Sequence, residues 1–201
     1  MVKISGKSGM DEPLIGEFSN AACVYYEVSA QHRFKRLVEN RDSNGKVTKN
    51  WVAGSESIGS AEVGGEFWLN DGTAKVNIDI ASAEMTMETA VNESKSTRRQ
   101  IDFSFGSYHP ENNSRKKSEG YALSERHIKT NDNLFVIGEL NDRSGVPTIS
   151  KSAEKDNPYI VSIQSEEKVI SKLEGKIKLV IFGAGAAAIG GLVLIVMSFI
   201  K

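Results

Sequence analysis

The amino-acid sequence predicts a mainly β, antiparallel, barrel-like domain followed by a short helix and a single C-terminal transmembrane α-helix. Short segments rich in β-branched and aromatic residues recur through the first 164 residues at the spacing of an antiparallel sheet. One Asp-Gly pair lies between two of these segments, as in a two-stranded hairpin, and the last part of the chain is uncharged and apolar. We therefore predict a β-rich domain at 1–164, an amphipathic linker helix at 165–177 and a transmembrane anchor at 178–201.

The predicted strands share the β-branched and aromatic enrichment and cover Val2–Ser5, Ala22–Val28, Phe67–Leu69, Lys75–Ile80, Ile101–Phe105, Leu134–Leu140 and Tyr159–Ile163. Asp71 and Gly72 tolerate the backbone angles of a tight hairpin turn, so the third and fourth of these strands should pair. The run Leu134–Gly138 is apolar throughout, which indicates a strand that is covered on both faces and lies near the centre of a sheet.

A polar segment between about residues 92 and 120 interrupts this pattern. It is rich in Ser, Asn, Lys, Arg and Glu, and its main apolar stretch is IDFSFGSYH. We expect exposed loops around one strand or hairpin in this part of the chain.

The linker helix and the membrane anchor follow from the last 37 residues, 165–201. Ser165 can cap the linker helix, in which Val169, Ile170 and Leu173 form an apolar stripe. The uncharged run Leu179–Ile200 has about 22 residues, and a helix of that length spans the roughly 30 Å hydrocarbon core of a bilayer.

Lysines flank the predicted membrane span. Lys176 and Lys178 precede it and Lys201 follows it, so their ammonium groups can anchor the helix ends at the two interfaces.

One face of the predicted span carries small side chains. Gly183, Ala187 and Gly191 recur every four residues, a spacing that lets a second helix approach closely. The pattern predicts a helix-packing face through which two copies of the chain can associate as a homo-oligomer.

Composition argues against several functional classes. The net charge of -1 provides no field that attracts nucleic acid. One cysteine and three histidines are too few for a Cys/His zinc framework, and no nucleophile-base motif or phosphate-binding loop occurs. We predict no catalytic, cofactor-binding or metal-ligating residue and no cofactor; Cys23 is expected to be a buried apolar residue, and His32 and His127 are expected to be surface histidines.

Three stretches in order carry a family resemblance: PLIGEFSNAACVYYEVS, FWLNDGTAKVNIDI and SERHIKTNDNLFVIGELND, followed by PYIVSIQSEEKVISKLEGK and the hydrophobic run. This order resembles the membrane-proximal domain of the GIDE-type membrane ubiquitin ligases, also called the BAM (beside-a-membrane) domain. Over most of residues 1–200 the chain is similar to prokaryotic members that lack the zinc-binding RING. The resemblance implies a membrane-tethered interaction domain with no catalytic residue to carry over.

Two arguments conflict about the side of the membrane. Four lysines (Lys168, Lys172, Lys176 and Lys178) precede the span and one follows it, so the positive-inside rule places the domain in the cytoplasm. The resemblance implies a preceding helix and the opposite side, but the first residues, MVKISGKSGMDEPLIGEF, contain no such helix. We favour the cytoplasmic side for this sequence.

We interpret the protein as a non-enzymatic, membrane-anchored protein whose β-rich domain is an interaction or ligand-binding module beside the bilayer. The expected partners are the lipid bilayer and a membrane or membrane-proximal protein, and nucleic acid is not expected. The first alternative is ubiquitin transfer, as in the RING-bearing relatives. The second is an oligonucleotide-binding barrel, which requires a basic groove with interleaved aromatic side chains, and the third is an enzyme whose catalytic residues are dispersed along the chain.

Overall fold

The computed structural model describes residues 1–97, 99–111, 113–142 and 145–174. In these ranges the chain forms strands β1 (Val2–Gly9), β2 (Leu14–Ile15), β3 (Ala22–Arg41), β4 (Val47–Gly64), β5 (Phe67–Asn70), β6 (Lys75–Ile78), β7 (Glu84–Thr86), β8 (Glu88–Lys95), β9 (Ile101–Phe103), β10 (Gly106–Tyr108), β11 (Lys116–Lys129), β12 (Asn133–Asn141), β13 (Thr148–Ser150) and β14 (Ile160–Ser162). Helix α1 covers residues 166–174. The mainly β class is confirmed.

Five strands close into a barrel in the order β1-β5-β6-β13-β12, and the pairing of β12 with β1 completes the ring. All neighbours in the ring are antiparallel except β6 and β13. β14 and β7 extend the sheet outward from β12. The buried core cluster of this sheet includes Phe67, Leu69, Val76, Ile78, Leu134, Val136 and Ile149 of the ring strands and Val161 of β14. The predicted barrel-like arrangement is therefore confirmed.

Both local predictions about the barrel strands are correct. β5 pairs with β6 from Phe67 opposite Ile78 to Asn70 opposite Lys75. Gly72 in the turn between them has a φ of 96°, which L side chains rarely adopt. β12 pairs with β1, β13 and β14, and its residues 134–138 are all buried, as expected for a central strand.

The second sheet has the order β8-β11-β3, and β2 and β4 pair with β3. β3 has 20 residues and β4 has 18, far beyond the predicted segment Ala22–Val28. The polar stretch from 92 to 120 is not only loop: β8 continues to Lys95, and β11 begins at Lys116. These strands were missed because one face of the second sheet is largely in solvent, so polar residues suit it.

A small hairpin, β9 with β10, covers part of this sheet. Phe103 and Phe105 stack with ring centroids 4.9 Å apart, and they pack beside Tyr121, Leu123 and Ala30 of the long strands. This cover divides the second sheet into a buried face and a solvated face.

The predicted membrane span lies outside the described residues, together with its packing face (Gly183, Ala187 and Gly191) and its interface anchors (Lys176, Lys178 and Lys201). Within the part of the chain that the structure describes, no helix has the length and apolar character needed to cross a bilayer.

Candidate functional site

The hairpin of β3 and β4 extends beyond the rest of its sheet. The two strands pair from Tyr25 opposite Gly64 to Arg41 opposite Val47, whereas β11 follows β3 only to the pair Lys116 and Arg36. We call residues 37–52 the arm. Beyond its first residues the arm is a two-stranded ribbon with no third strand among the described residues.

Local turn chemistry reverses the chain at the tip of the arm. The Asp42 Oδ1 atom accepts hydrogen bonds from the backbone N–H of Asn44 at 3.0 Å and of Lys46 at 2.8 Å. Gly45 supplies a φ of 81° with no atom close enough to hinder it. An Asx-type turn and a glycine therefore hold the end of the hairpin.

The arm exposes apolar side chains. Val47 is 46% exposed, Trp51 40% and Val52 43%, which makes three of the seven exposed large hydrophobic residues found in the described part of the chain. The Lys117 ammonium lies 4.6 Å from the centre of the Trp51 ring, and Lys49 forms a 3.0 Å ion pair with Glu39 on the opposite strand. Because side chains alternate along a strand, Val47 and Trp51 share one face of the ribbon and Val52 lies on the other. Apolar side chains exposed on both faces indicate that the arm is a contact element.

A hydrogen-bond network, which we call the root network, lies at the root of the arm, and its His32 and Ser118 side chains are buried while that of Glu56 is 37% exposed. The imidazole of His32 on β3 is fully buried and bridges two other strands: its Nδ1 atom is 2.9 Å from Glu56 Oε1 on β4, and its Nε2 atom is 2.9 Å from Ser118 Oγ on β11. A carboxylate only accepts hydrogen bonds, so Nδ1 carries a proton that it donates to Glu56. The Tyr108 hydroxyl of β10 also donates to Glu56.

The network keeps Glu56 ionised. Hydrogen bonds from Tyr108, His32 and Lys116 lower the pKa of Glu56 to about 2 against the opposing effect of burial. Lys116 Nζ lies 3.0 Å from each carboxylate oxygen and 4.4 Å from the centre of the Phe34 ring. The pKa of Tyr108 is raised, first by burial and then by its hydrogen bond to the Glu56 carboxylate.

The order Ser118, His32, Glu56 is that of an activated nucleophile, its base and an orienting carboxylate. Ser118 is 1% exposed and His32 0%, and the rings of Phe34, Tyr108 and Tyr121 lie 5.2 to 5.8 Å from the imidazole. The buried hydroxyl and imidazole join β3, β4, β10 and β11 through their hydrogen bonds.

Both predictions of surface histidines are wrong. His32 is 0% exposed and His127 is 1% exposed, with His127 Nδ1 3.3 Å from Glu125 Oε1. Ala30, His32 and Phe34 share the covered face of β3, while the polar neighbours of His32 in sequence point to the other face. The period of two in SAQHRF was the available signal.

The expectation that Cys23 is buried is confirmed. It is 0% exposed, and burial, with a smaller effect from the Glu125 charge, raises the pKa of the thiol to about 11. The thiol therefore stays protonated at neutral pH.

One cavity beside the barrel is lined by carboxylates. This cavity, of about 690 Å³, lies where β4 meets the barrel, and its lining includes Tyr25, Glu62, Glu66 and Asp79. Carboxylates repel a phosphate backbone, which weighs against the oligonucleotide-binding alternative at this cavity.

Among the described residues, no group of three or more His, Cys, Asp or Glu is arranged to hold a metal ion.

A comparison with protein families identifies the chain. The family model GIDE, described as E3 ubiquitin ligase, matches residues 35–196, which include the arm and most of the barrel strands. The chain belongs to the GIDE family. No curated protein and no solved structure matches the chain significantly. The resemblance read from the sequence is thus confirmed, and the GIDE match includes Glu56, Tyr108 and Ser118 of the network.

Proposed function

We propose that this GIDE protein is a non-enzymatic, membrane-anchored protein whose β domain binds another protein beside the bilayer through the arm. The observation that carries the proposal is the arm itself, which exposes Val47, Trp51 and Val52. Val47 lies beyond the last pairing of β3 with β11, and Trp51 and Val52 lie where that pairing ends. Protein contact surfaces favour aromatic side chains such as Trp51 over charged ones at their centre.

The root network supports this role. His32, Glu56 and Ser118 connect three long strands by hydrogen bonds of 2.9 Å, so the base of the arm has a defined direction. A pre-ordered surface loses less conformational entropy when it binds.

The membrane anchor in this proposal is the apolar run Leu179–Ile200, with Lys176, Lys178 and Lys201 at its ends. The excess of lysine before the span supports a cytoplasmic position for the domain under the positive-inside rule. Protease added to spheroplasts tests this orientation, because it should leave the domain intact, and rapid digestion would place the domain on the other side.

Photo-crosslinking tests the arm. Thr48 is exposed on β4 and is replaced by p-benzoylphenylalanine in the full chain in intact membranes. Irradiation should give a protein adduct of defined mass. Ile15, which is 58% exposed outside the arm, is the matched control position and should give little adduct. Equal adducts at both positions, or no protein adduct from position 48, would refute the proposal.

Ubiquitin transfer is the second candidate, because the family description names that activity. A RING holds two zinc ions with eight Cys and His ligands, four for each tetrahedral site. The 201 residues contain one Cys and three His. An in-vitro transfer assay with the purified full chain separates the two candidates, and ubiquitin chains that depend on this protein would favour the second.

A further inference from the structure

The outer edge of β4 offers unpaired backbone groups to a further strand. β4 pairs with β3 along its length, and no strand within the described residues pairs with its other edge. At 18 residues it is far longer than a typical strand of about 3–10 residues. The exposed Val47, Trp51 and Val52 lie on the same strand. A long, apolar, open edge is a template for strand addition.

The two edges of the arm differ in how strongly their side chains discourage the addition of a further strand. The β3 edge carries Glu39, Asn40 and Arg41, and charged side chains discourage strand addition. Between residues 47 and 53 the β4 edge has Lys49 as its single charged residue. The β4 edge is therefore the more receptive of the two.

We propose that the β4 edge of the arm pairs antiparallel with the same edge of a second copy of this chain. This inference rests on the proposed function, in which the arm is the contact surface, and it names the partner. A two-fold axis relates two identical antiparallel strands. The product is a four-stranded sheet of β3 and β4 from each copy, which removes the weakness of an isolated two-stranded ribbon.

The side chains favour a register centred on Asn50. In this register Lys49 lies opposite Trp51 of the second copy, and the ammonium can contact the indole face as Lys117 already does within one copy at 4.6 Å. Thr48 lies opposite Val52 of the second copy, a pair of β-branched residues. A shift of the axis to Lys49 would put two ammonium groups directly opposite each other.

Disulfide trapping of the full chain in isolated membranes tests the register. Cys23 is fully buried, so the wild type supplies a low background. Asn50→Cys should give a disulfide-linked dimer after oxidation with copper phenanthroline. Asn40→Cys, on the β3 edge, is the matched control. Its two positions would be about three strand spacings apart across the sheet and four residues apart along it, roughly 20 Å in total, which is beyond disulfide reach.

A second variant tests whether the disulfide forms through the proposed register or through random encounters between chains. Trp51→Lys combined with Asn50→Cys places like charges opposite each other and should lower the dimer yield several-fold. Equal yields from Asn50→Cys and Asn40→Cys, or no dimer from Asn50→Cys, would overturn the inference. If position 48 still crosslinks to a different protein, the inference fails and the proposed function stands; if it gives no protein adduct, both fail.

Discussion

Glu56 is the residue through which the root network responds to pH. Three donors, from Tyr108, His32 and Lys116, converge on its carboxylate and hold the pKa at about 2, below the ordinary 4.5. Since the folded-state pKa is depressed, the stabilisation by Glu56 is present above about pH 4.5 and is lost as the pH falls toward 2.

Replacement of Glu56 by Gln should destabilise the fold by about 0.5–2 kcal/mol at pH 7, because the buried His32 and the Lys116 ammonium lose a charged acceptor. The lower end of this range reflects solvent screening of the Glu56 side chain, which is 37% exposed. Thermal unfolding of the full chain in detergent measures the effect. The difference from wild type should shrink between pH 5 and pH 3. Glu93→Gln, at an exposed ion pair with Lys95, is the control and should change little; a pH-independent difference for Glu56→Gln would contradict the assignment.

Gly120 shows how one residue permits the bulge in β11. Its φ is 108°, and a Cβ atom there would overlap the carbonyl oxygen of Lys95 on β8. Gly45, at the tip of the arm, also has a positive φ of 81° but has open space around it. A side chain at Gly45 would meet only the cost of the positive φ, whereas a side chain at Gly120 would meet that cost and a steric overlap as well.

Gly45→Ala should cost about 1 kcal/mol, the ordinary penalty for a left-handed alanine. Gly120→Ala should cost several kcal/mol, because β8 or β11 must also move. Chemical denaturation of both variants gives the comparison. Equal losses would mean that the contact with Lys95 relaxes without cost.

The arm is an element that adds surface while contributing little to the core. Its residues from 38 to 50 lie beyond the last pairing of β3 with β11, and most are exposed. The buried clusters belong to the barrel and to the covered face of the second sheet. The stability of the domain should therefore be largely independent of the arm.

Replacement of residues 39–49 by Asn-Gly tests this independence. Val38 and Asn50 are paired across the hairpin, and a two-residue Asn-Gly turn suits such a pair. The shortened chain should keep its β circular dichroism spectrum and a similar thermal midpoint. When it also carries Asn50→Cys, it should lose the disulfide-linked dimer formed through the arm. Failure to fold would show that the arm supports the core.

At the scale of the whole molecule, a closed barrel, a second sheet with its arm, and an apolar C-terminal run combine in one GIDE chain. The proposed function needs the last of these to hold the domain at the bilayer. The uncharged run Leu179–Ile200 is long enough for that role.

The full chain should remain in the membrane pellet after alkaline carbonate washing. A chain that ends at Leu173 lacks the apolar run and should move to the supernatant, because it has no segment of membrane-spanning length. Immunoblotting of the two fractions is the measurement. Release of the full chain by carbonate would rule out an integral anchor.

The sequence by itself determined those features that depend on neighbouring residues. The Asp71-Gly72 turn and the central position of Leu134–Gly138 could be predicted because turn chemistry and continuous apolar character are local properties. The ordered motifs, taken together, also identified the GIDE family.

Only the tertiary structure decided which groups meet at a distance. The barrel closes through β1 and β12, which are more than 120 residues apart in the chain, and His32, Glu56 and Ser118 come from three different strands. The histidine was assigned to the surface because its sequence neighbours are polar, but burial depends on which face another element covers. The full length of β3 and β4 could not be predicted for a related reason. An arm that is exposed on both faces needs no alternation of apolar and polar residues, so the sequence carries little signal for its strand pairing.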